Sequence, residues 1–111
     1  MNLVAEPRGE LLIVRALEDR IDAAGAIQFK DRMRLLVQHP AQRVLLDLSR
    51  VRFLDSSGLG AVVAVMKLMG PDRRLELAGL TPAVDKVFRL TRMDSVFTIH
   101  ASLPDGLRDA G

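Results

Sequence analysis

The chain of 111 residues contains no cysteine, which excludes disulfides, thiol catalysis and cysteine-ligated zinc. It has no tryptophan and no tyrosine, so the usual stacking platforms for bases and sugars are missing. Charge of one sign never accumulates: the arginines are scattered from Arg8 to Arg108 and the formal net charge is only +2. The electrostatic footprint of a nucleic-acid binder is therefore absent. The longest mostly apolar run, Leu59 to Met69, is too short to span a bilayer and contains Lys67. The amino terminus, Met1-Asn2-Leu3-Val4-Ala5-Glu6-Pro7-Arg8, lacks the basic region and apolar stretch of a signal peptide. A cytoplasmic location without membrane insertion is expected.

What is present is globular composition, with 49% hydrophobic and 27% charged residues, in a length that suits a single domain over residues 1–111. Glu10 to Arg15 reads as a strand, with Leu3 to Ala5 as a weaker partner across a turn at Pro7 to Gly9. Asp22 is an N-cap candidate for a helix in which Ala26, Phe29, Met33, Leu36 and Val37 recur at helical spacing, stopped by Pro40. Arg43 to Leu48 reads as a buried strand and Leu59 to Met69 as a nearly all-apolar, hence buried, helix. Arg74 to Ala78 alternates with period two, as a half-buried strand does. Thr81-Pro82 marks the start of another helix, with Val84, Val87 and Phe88 on its apolar face. Ser95 to Ile99 reads as a last short strand, and Leu103 to Gly111 as a weakly specified short helix. Alternation of strands and helices implies an α/β domain with a partly parallel sheet.

Between the apolar strand and the apolar helix lies a polar hinge, Phe53-Leu54-Asp55-Ser56-Ser57-Gly58-Leu59-Gly60. Asp55 or Ser56 suffices to cap the helix, and Gly58 relaxes the turn; yet one cap needs one oxygen-bearing side chain, and three stand in a row. A phosphate on the second serine, Ser57, would meet backbone N–H groups and the positive end of the helix dipole. It would bring roughly −1.5 to −2 charges close to Asp55. Attraction and repulsion then roughly offset, so the fold survives while the surface potential changes, as a reversible switch requires.

Other chemistries fit poorly. A dinucleotide fingerprint starting at Gly58-Leu59-Gly60 fails at Val63. A serine-hydrolase elbow needs a glycine two places before the nucleophile, where Leu54 and Asp55 stand instead. His39 and His100 fall near element ends and are expected at the surface, and no metal-ligand spacing recurs. No catalytic residue, cofactor or metal is expected, and the protein is not expected to be an enzyme.

Val44-Leu45-Leu46-Asp47-Leu48-Ser49 followed by the hinge resembles the signature of STAS domains, above all the stand-alone anti-sigma factor antagonists of bacteria. The resemblance continues through Leu77-Ala78-Gly79-Leu80-Thr81-Pro82-Ala83-Val84 and Val87-Phe88-Arg89-Leu90, covering roughly residues 9 to 100. It implies the STAS fold: a four- to five-stranded mixed sheet with helices packed largely on one side. It also implies phosphorylation of the serine before the glycine, Ser57, by a partner anti-sigma factor with serine kinase activity, and reversal by a serine phosphatase. Asp22, Asp55, Ser56, Gly58, Leu59 and Gly60 fall to the partner-binding surface. Asp22 matches the last position of the family's Gly-x-apolar-Asp pattern near that site, with Asp19 in place of the glycine. The alternative is a STAS regulatory subunit of a larger assembly, such as a lipid-transport ABC complex or a stressosome scaffold.

Overall fold

A computed structural model describes residues 1–103. The expected short helix over Leu103 to Gly111 lies outside the described residues, apart from Leu103 itself. A hairpin of β1 (Leu3–Arg8) and β2 (Leu11–Ala16) is followed by β3 (Arg20–Ile21), α1 (Ala26–Leu36), β4 (Arg43–Asp47) and β5 (Phe53–Leu54). Then come α2 (Ser56–Met69), β6 (Arg74–Ala78), α3 (Pro82–Leu90), a 3-10 turn (Met93–Ser95) and β7 (Ile99–His100). Five strands form the main sheet in the order β1-β2-β4-β6-β7, and β3 pairs with β5 beside it. Only β1 runs antiparallel to its neighbour; β2, β4, β6 and β7 are parallel. This is the mixed five-stranded sheet that the resemblance implied.

Inward residues of alternate strand positions, Leu12, Val14, Val44, Leu46, Leu75 and Leu77, pack against Phe29, Met33, Val62, Val65, Val84 and Phe88 of the three helices. On the opposite face Leu11, Ile13, Leu45 and Ala78 gather with Leu103 in a smaller cluster. Strands buried on both faces explain why β2 and β4 read as unbroken apolar runs rather than as alternation.

Several local expectations give way. The hairpin partner is no weak strand: β1 runs through Pro7 and Arg8, which pair with Leu12 and Leu11. Proline is tolerated there because β1 is an edge. The turn shrinks to Gly9-Glu10, with Gly9 at φ +62°, where glycine costs nothing. The α2 helix starts at Ser56 and is not wholly buried, since Lys67 and Leu68 are exposed. Thr81 does sit at the N-cap of α3 but makes no capping bond. Its Oγ1 donates instead to the Val51 carbonyl (2.7 Å), tying α3 to the loop after β4.

The last strand is displaced. Residues 93–95 form the 3-10 turn, and Phe97 turns inward to meet Phe88 edge-to-face at 5.9 Å. Extended pairing is left only to Ile99 and His100, beside Leu77 and Ala78. The alternation in β6 also misleads, because Glu76 is buried on the second face. Arg43 meets its carboxylate with two hydrogen bonds (2.8 and 2.9 Å), and His100 Nε2 lies 2.7 Å from Oε1. His100 is thus half-buried and engaged, not a free surface residue. Chiefly the Arg43 hydrogen bonds, with His100 helping and burial opposing, hold Glu76 down at a pKa of about 2.

Arg73 answers a need that the sequence did not reveal. Its guanidinium donates to the carbonyls of Val37 (2.7 Å), His39 (2.7 Å) and Ala41 (2.8 Å). These are acceptors left over where α1 ends and Pro40 prevents its continuation.

Candidate functional site

The site forms where two loops are brought side by side. Pairing of Arg20 with Phe53 and Ile21 with Leu54 aligns the chain leading into α1 with the chain leading into α2. Each strand is only two residues long, yet the pair fixes the register of everything that follows. Asp19 supports the same alignment through its main chain, its carbonyl accepting from the N–H groups of Arg52 (2.6 Å) and Phe53 (3.2 Å). Asp19 is not among the residues with positive φ, so aspartate in place of glycine introduces no backbone strain here.

Asp55 joins the loops directly. Its Oδ1 accepts from the Gly58 N–H (2.9 Å), capping α2, while Oδ2 accepts from the Ala23 N–H (3.2 Å). The helix is therefore capped by Asp55 and not by Ser56. Ser56 and Ser57 occupy the first two helical positions, both exposed, and among the described residues neither hydroxyl makes a hydrogen bond. The Ser57 hydroxyl is thus accessible to solvent and, among the described residues, uncommitted.

Asp22 does not cap α1, whose N-cap is Gly25 without a side-chain bond. The helix starts later because Asp22 organises its own turn: Oδ1 accepts from the N–H groups of Ala24 (3.1 Å) and Gly25 (3.3 Å). Its main-chain carbonyl accepts from Ala26 (2.8 Å). The second carboxylate oxygen takes a hydrogen bond from Arg20 Nε (2.9 Å). That bond, with the Gly25 and Ala24 amides and against partial desolvation, holds Asp22 below the usual aspartate range. It stays ionised beside the hinge.

The glycines divide in role. Gly58 is buried, and a Cβ on it would overlap the Ile21 carbonyl oxygen and lie 3.0 Å from its carbon. Its place is beneath the surface, where it lets α2 approach β3. At Gly60 a Cβ would meet nothing within 4 Å, and the residue is exposed. Leu59 is half-buried next to it.

Two shallow clefts flank the first turns of α2. One, about 200 Å³, lies against α1 and is lined by Ser57, Gly60, Ala61, Ala26, Ile27 and Lys30. The other, about 470 Å³, runs toward the end of α3 and includes Ser56, Leu59, Val63 and Met93. The two serines thus face opposite flanks of one helix. Sequence reasoning passed over Arg20, whose guanidinium stacks 4.6 Å above the half-exposed Phe53 ring while holding Asp22. It also passed over Lys30 and Ile27, because on a helix drawn alone they belong to an ordinary solvent face.

Among the described residues no helix is long and apolar enough to cross a membrane, and no group of three or more histidines or carboxylates is placed to hold a metal ion.

Residues 12–101 match the family model described as "Mlab, STAS domain". The chain belongs to the STAS domain family, in the company of the anti-sigma factor antagonists. It is 30% identical over 92 residues to a Bordetella bronchiseptica protein named provisionally as the anti-sigma factor antagonist BtrV, covering 82% of this chain and 79% of that protein. An anti-sigma factor antagonist from Mycobacterium paratuberculosis superposes with a TM-score of 0.84 at 24% identity, covering 96% of this chain and 90% of the other. SpoIIAA has the same fold in its unphosphorylated form (TM-score 0.66, 20% identity, 95% and 92% covered). The phosphorylated form, from Bacillus, gives 0.69 at 20% identity, with 96% of each chain covered. At these identities the solved structures establish the fold.

Proposed function

We propose that this protein is a partner-switching antagonist of an anti-sigma factor. Unphosphorylated, it binds an anti-sigma factor that carries serine kinase activity, so that the sigma factor goes free. The bound kinase supplies ATP: Ser57 Oγ attacks the γ-phosphorus, the bond to ADP breaks, and the serine proton passes to a base of the kinase. A serine phosphatase removes the phosphate and resets the switch. The docking surface comprises Asp22, Asp55, Ser56, Leu59 and Gly60 around Ser57, with Gly58 holding the turn from beneath. The protein performs no chemistry of its own.

The observation that carries this reading is the exposed hydroxyl of Ser57, without a hydrogen bond among the described residues, on a helix already capped by Asp55. Because the cap does not depend on the serine, a phosphate can come and go without unmaking the helix. About two negative charges appear in the middle of the proposed contact. A few kcal/mol of repulsion suffices for release, since each ~1.4 kcal/mol is tenfold in affinity. Similarity to BtrV and to a fold solved in phosphorylated and unphosphorylated forms supports the assignment.

The test is peptide mass spectrometry of the protein isolated from its native cells with whatever it carries. Phosphate on Ser57 and a kinase-fold protein in the eluate are expected. The Mlab description of the family model favours one rival, a STAS subunit of a larger assembly. Unmodified Ser57 together with an ATP-binding cassette protein would decide for that rival.

A further inference from the structure

The cleft between α1 and α2 contains one charged side chain besides the small residues of its floor. Lys30 lines it from α1 and Ser57 from α2. Lys30 is exposed and makes no hydrogen bond or ion pair among the described residues. Of the basic residues nearby, Arg20 holds Asp22 at 2.9 Å and Arg34 lies 3.6 Å from Asp31, while Arg32 on the same helix does not line the cleft.

We propose that Lys30 is the cation that receives the phosphate of Ser57 across this cleft, an inference that rests on the reading of Ser57 as the phosphorylation site. Helix side chains lean toward the helix N-terminus. The Asp55 bond to the Ala23 N–H places the starts of α1 and α2 at the same end. Lys30, one turn into α1, therefore leans toward the level of Ser57. The long lysine stem gives its ammonium the reach to cross the cleft.

Room for the group is already there. Ala26, Ala61 and Ala64 keep the cleft floor low, and Gly60 leaves open the space that a Cβ would enter. The fold itself does not need glycine at that position. Charged groups at the same end are Asp55, which caps the helix of Ser57, and, on the chain leading into α1, Asp22 paired with Arg20. Among the described residues Lys30 is the one cation that lines the cleft with Ser57, and no carboxylate holds it.

The pairing changes what the modification does to the surface. Before phosphorylation the cleft presents an ammonium that no described residue engages; afterwards that ammonium is drawn onto the phosphate. A partner carboxylate that used Lys30 would lose it in the same event that introduces the repelling charge. Charge-assisted pairing of lysine with phosphate is strong enough to order the side chain.

The experiment installs phosphoserine at position 57 by genetic encoding and follows its second ionisation by phosphorus NMR, in the otherwise native protein and with Lys30→Met or Lys67→Met. Lys67 lies on the far side of α2, against the other cleft, and controls for loss of one positive charge. Lys30→Met is expected to raise the phosphate pKa by about half a unit, with Lys67→Met shifting it much less. Equal pKa values in the native and Lys30→Met proteins, or equal shifts in both variants, would overturn the pairing. A finding that Ser57 is never phosphorylated in cells would instead overturn the functional reading and leave this titration unchanged, so the two failures are distinguishable.

Discussion

Gly58 lies directly against the carbonyl of Ile21, so that α2 and β3 meet with no side chain between them. Two residues later the constraint vanishes, because Gly60 has open space where a Cβ would go. Gly58→Ala is expected to destabilise the fold by about 1–3 kcal/mol through overpacking. Gly60→Ala is expected to raise the melting temperature, since alanine improves a helix interior by up to ~1 kcal/mol, while weakening the partner complex by intruding on its surface. Thermal unfolding and binding measured on both variants check this; a destabilised Gly60→Ala protein would refute the division.

Asp55 combines two tasks that substitution can separate. Asp55→Ala removes the α2 cap and should cost ~1–2 kcal/mol. Asp55→Asn keeps one carbonyl oxygen for the Gly58 N–H but turns an NH2 donor toward the Ala23 N–H. Denaturant unfolding should show the smaller loss for asparagine. Hydrogen exchange should show the Ala23 amide unprotected in both variants, whereas retained protection would mean that Asp55 does not join the loops.

Acid should act through Glu76. Its folded pKa, about 2, lies below its ordinary value of 4.5, so folding favours the carboxylate. The resulting stability, roughly 3 kcal/mol, is fully present above pH 4.5 and is lost as the pH falls toward 2. Glu76→Gln should lower stability at neutral pH and flatten its dependence across that window, as read by urea unfolding at a series of pH values. An unchanged slope would show that the Arg43 and His100 contacts carry no net stabilisation of the ionised form.

These residues mark the boundary of what was legible in the sequence. Central strands β2 and β4 and the buried face of α1 declared themselves, because burial on one or both faces leaves long apolar patterns. The hinge was visible as three oxygen-bearing side chains and two glycines between apolar segments. What stayed hidden depended on pairs distant in sequence. The two-residue strands β3 and β5 are too short to carry a period, yet they bring Asp22 and Asp55 into one site. Glu76 looked like the wet side of a half-buried strand because its partners Arg43 and His100 stand 33 and 24 residues away. Phe97 looked like a strand residue until Phe88 gave it a reason to turn inward. Asp22 had the right residue type for a cap but made its own turn first, which pushed the start of α1 to Ala26.

Ser57→Ala should bind the kinase partner and accept no phosphate, since the adjacent Ser56 faces the other flank of the helix. Its melting temperature should match that of the native protein because the Ser57 hydroxyl makes no bond among the described residues. Phosphate incorporated at the native rate, located by peptide mass spectrometry, would move the modification to another residue.

The most direct test of the switch is the dissociation constant of the kinase partner for the protein with and without phosphate on Ser57, measured by calorimetry at one salt concentration. A loss of about a hundredfold on phosphorylation, equivalent to ~3 kcal/mol, with unchanged melting temperature is the expected result. Affinities that agree to within about twofold, a difference of only ~0.4 kcal/mol, would contradict the account.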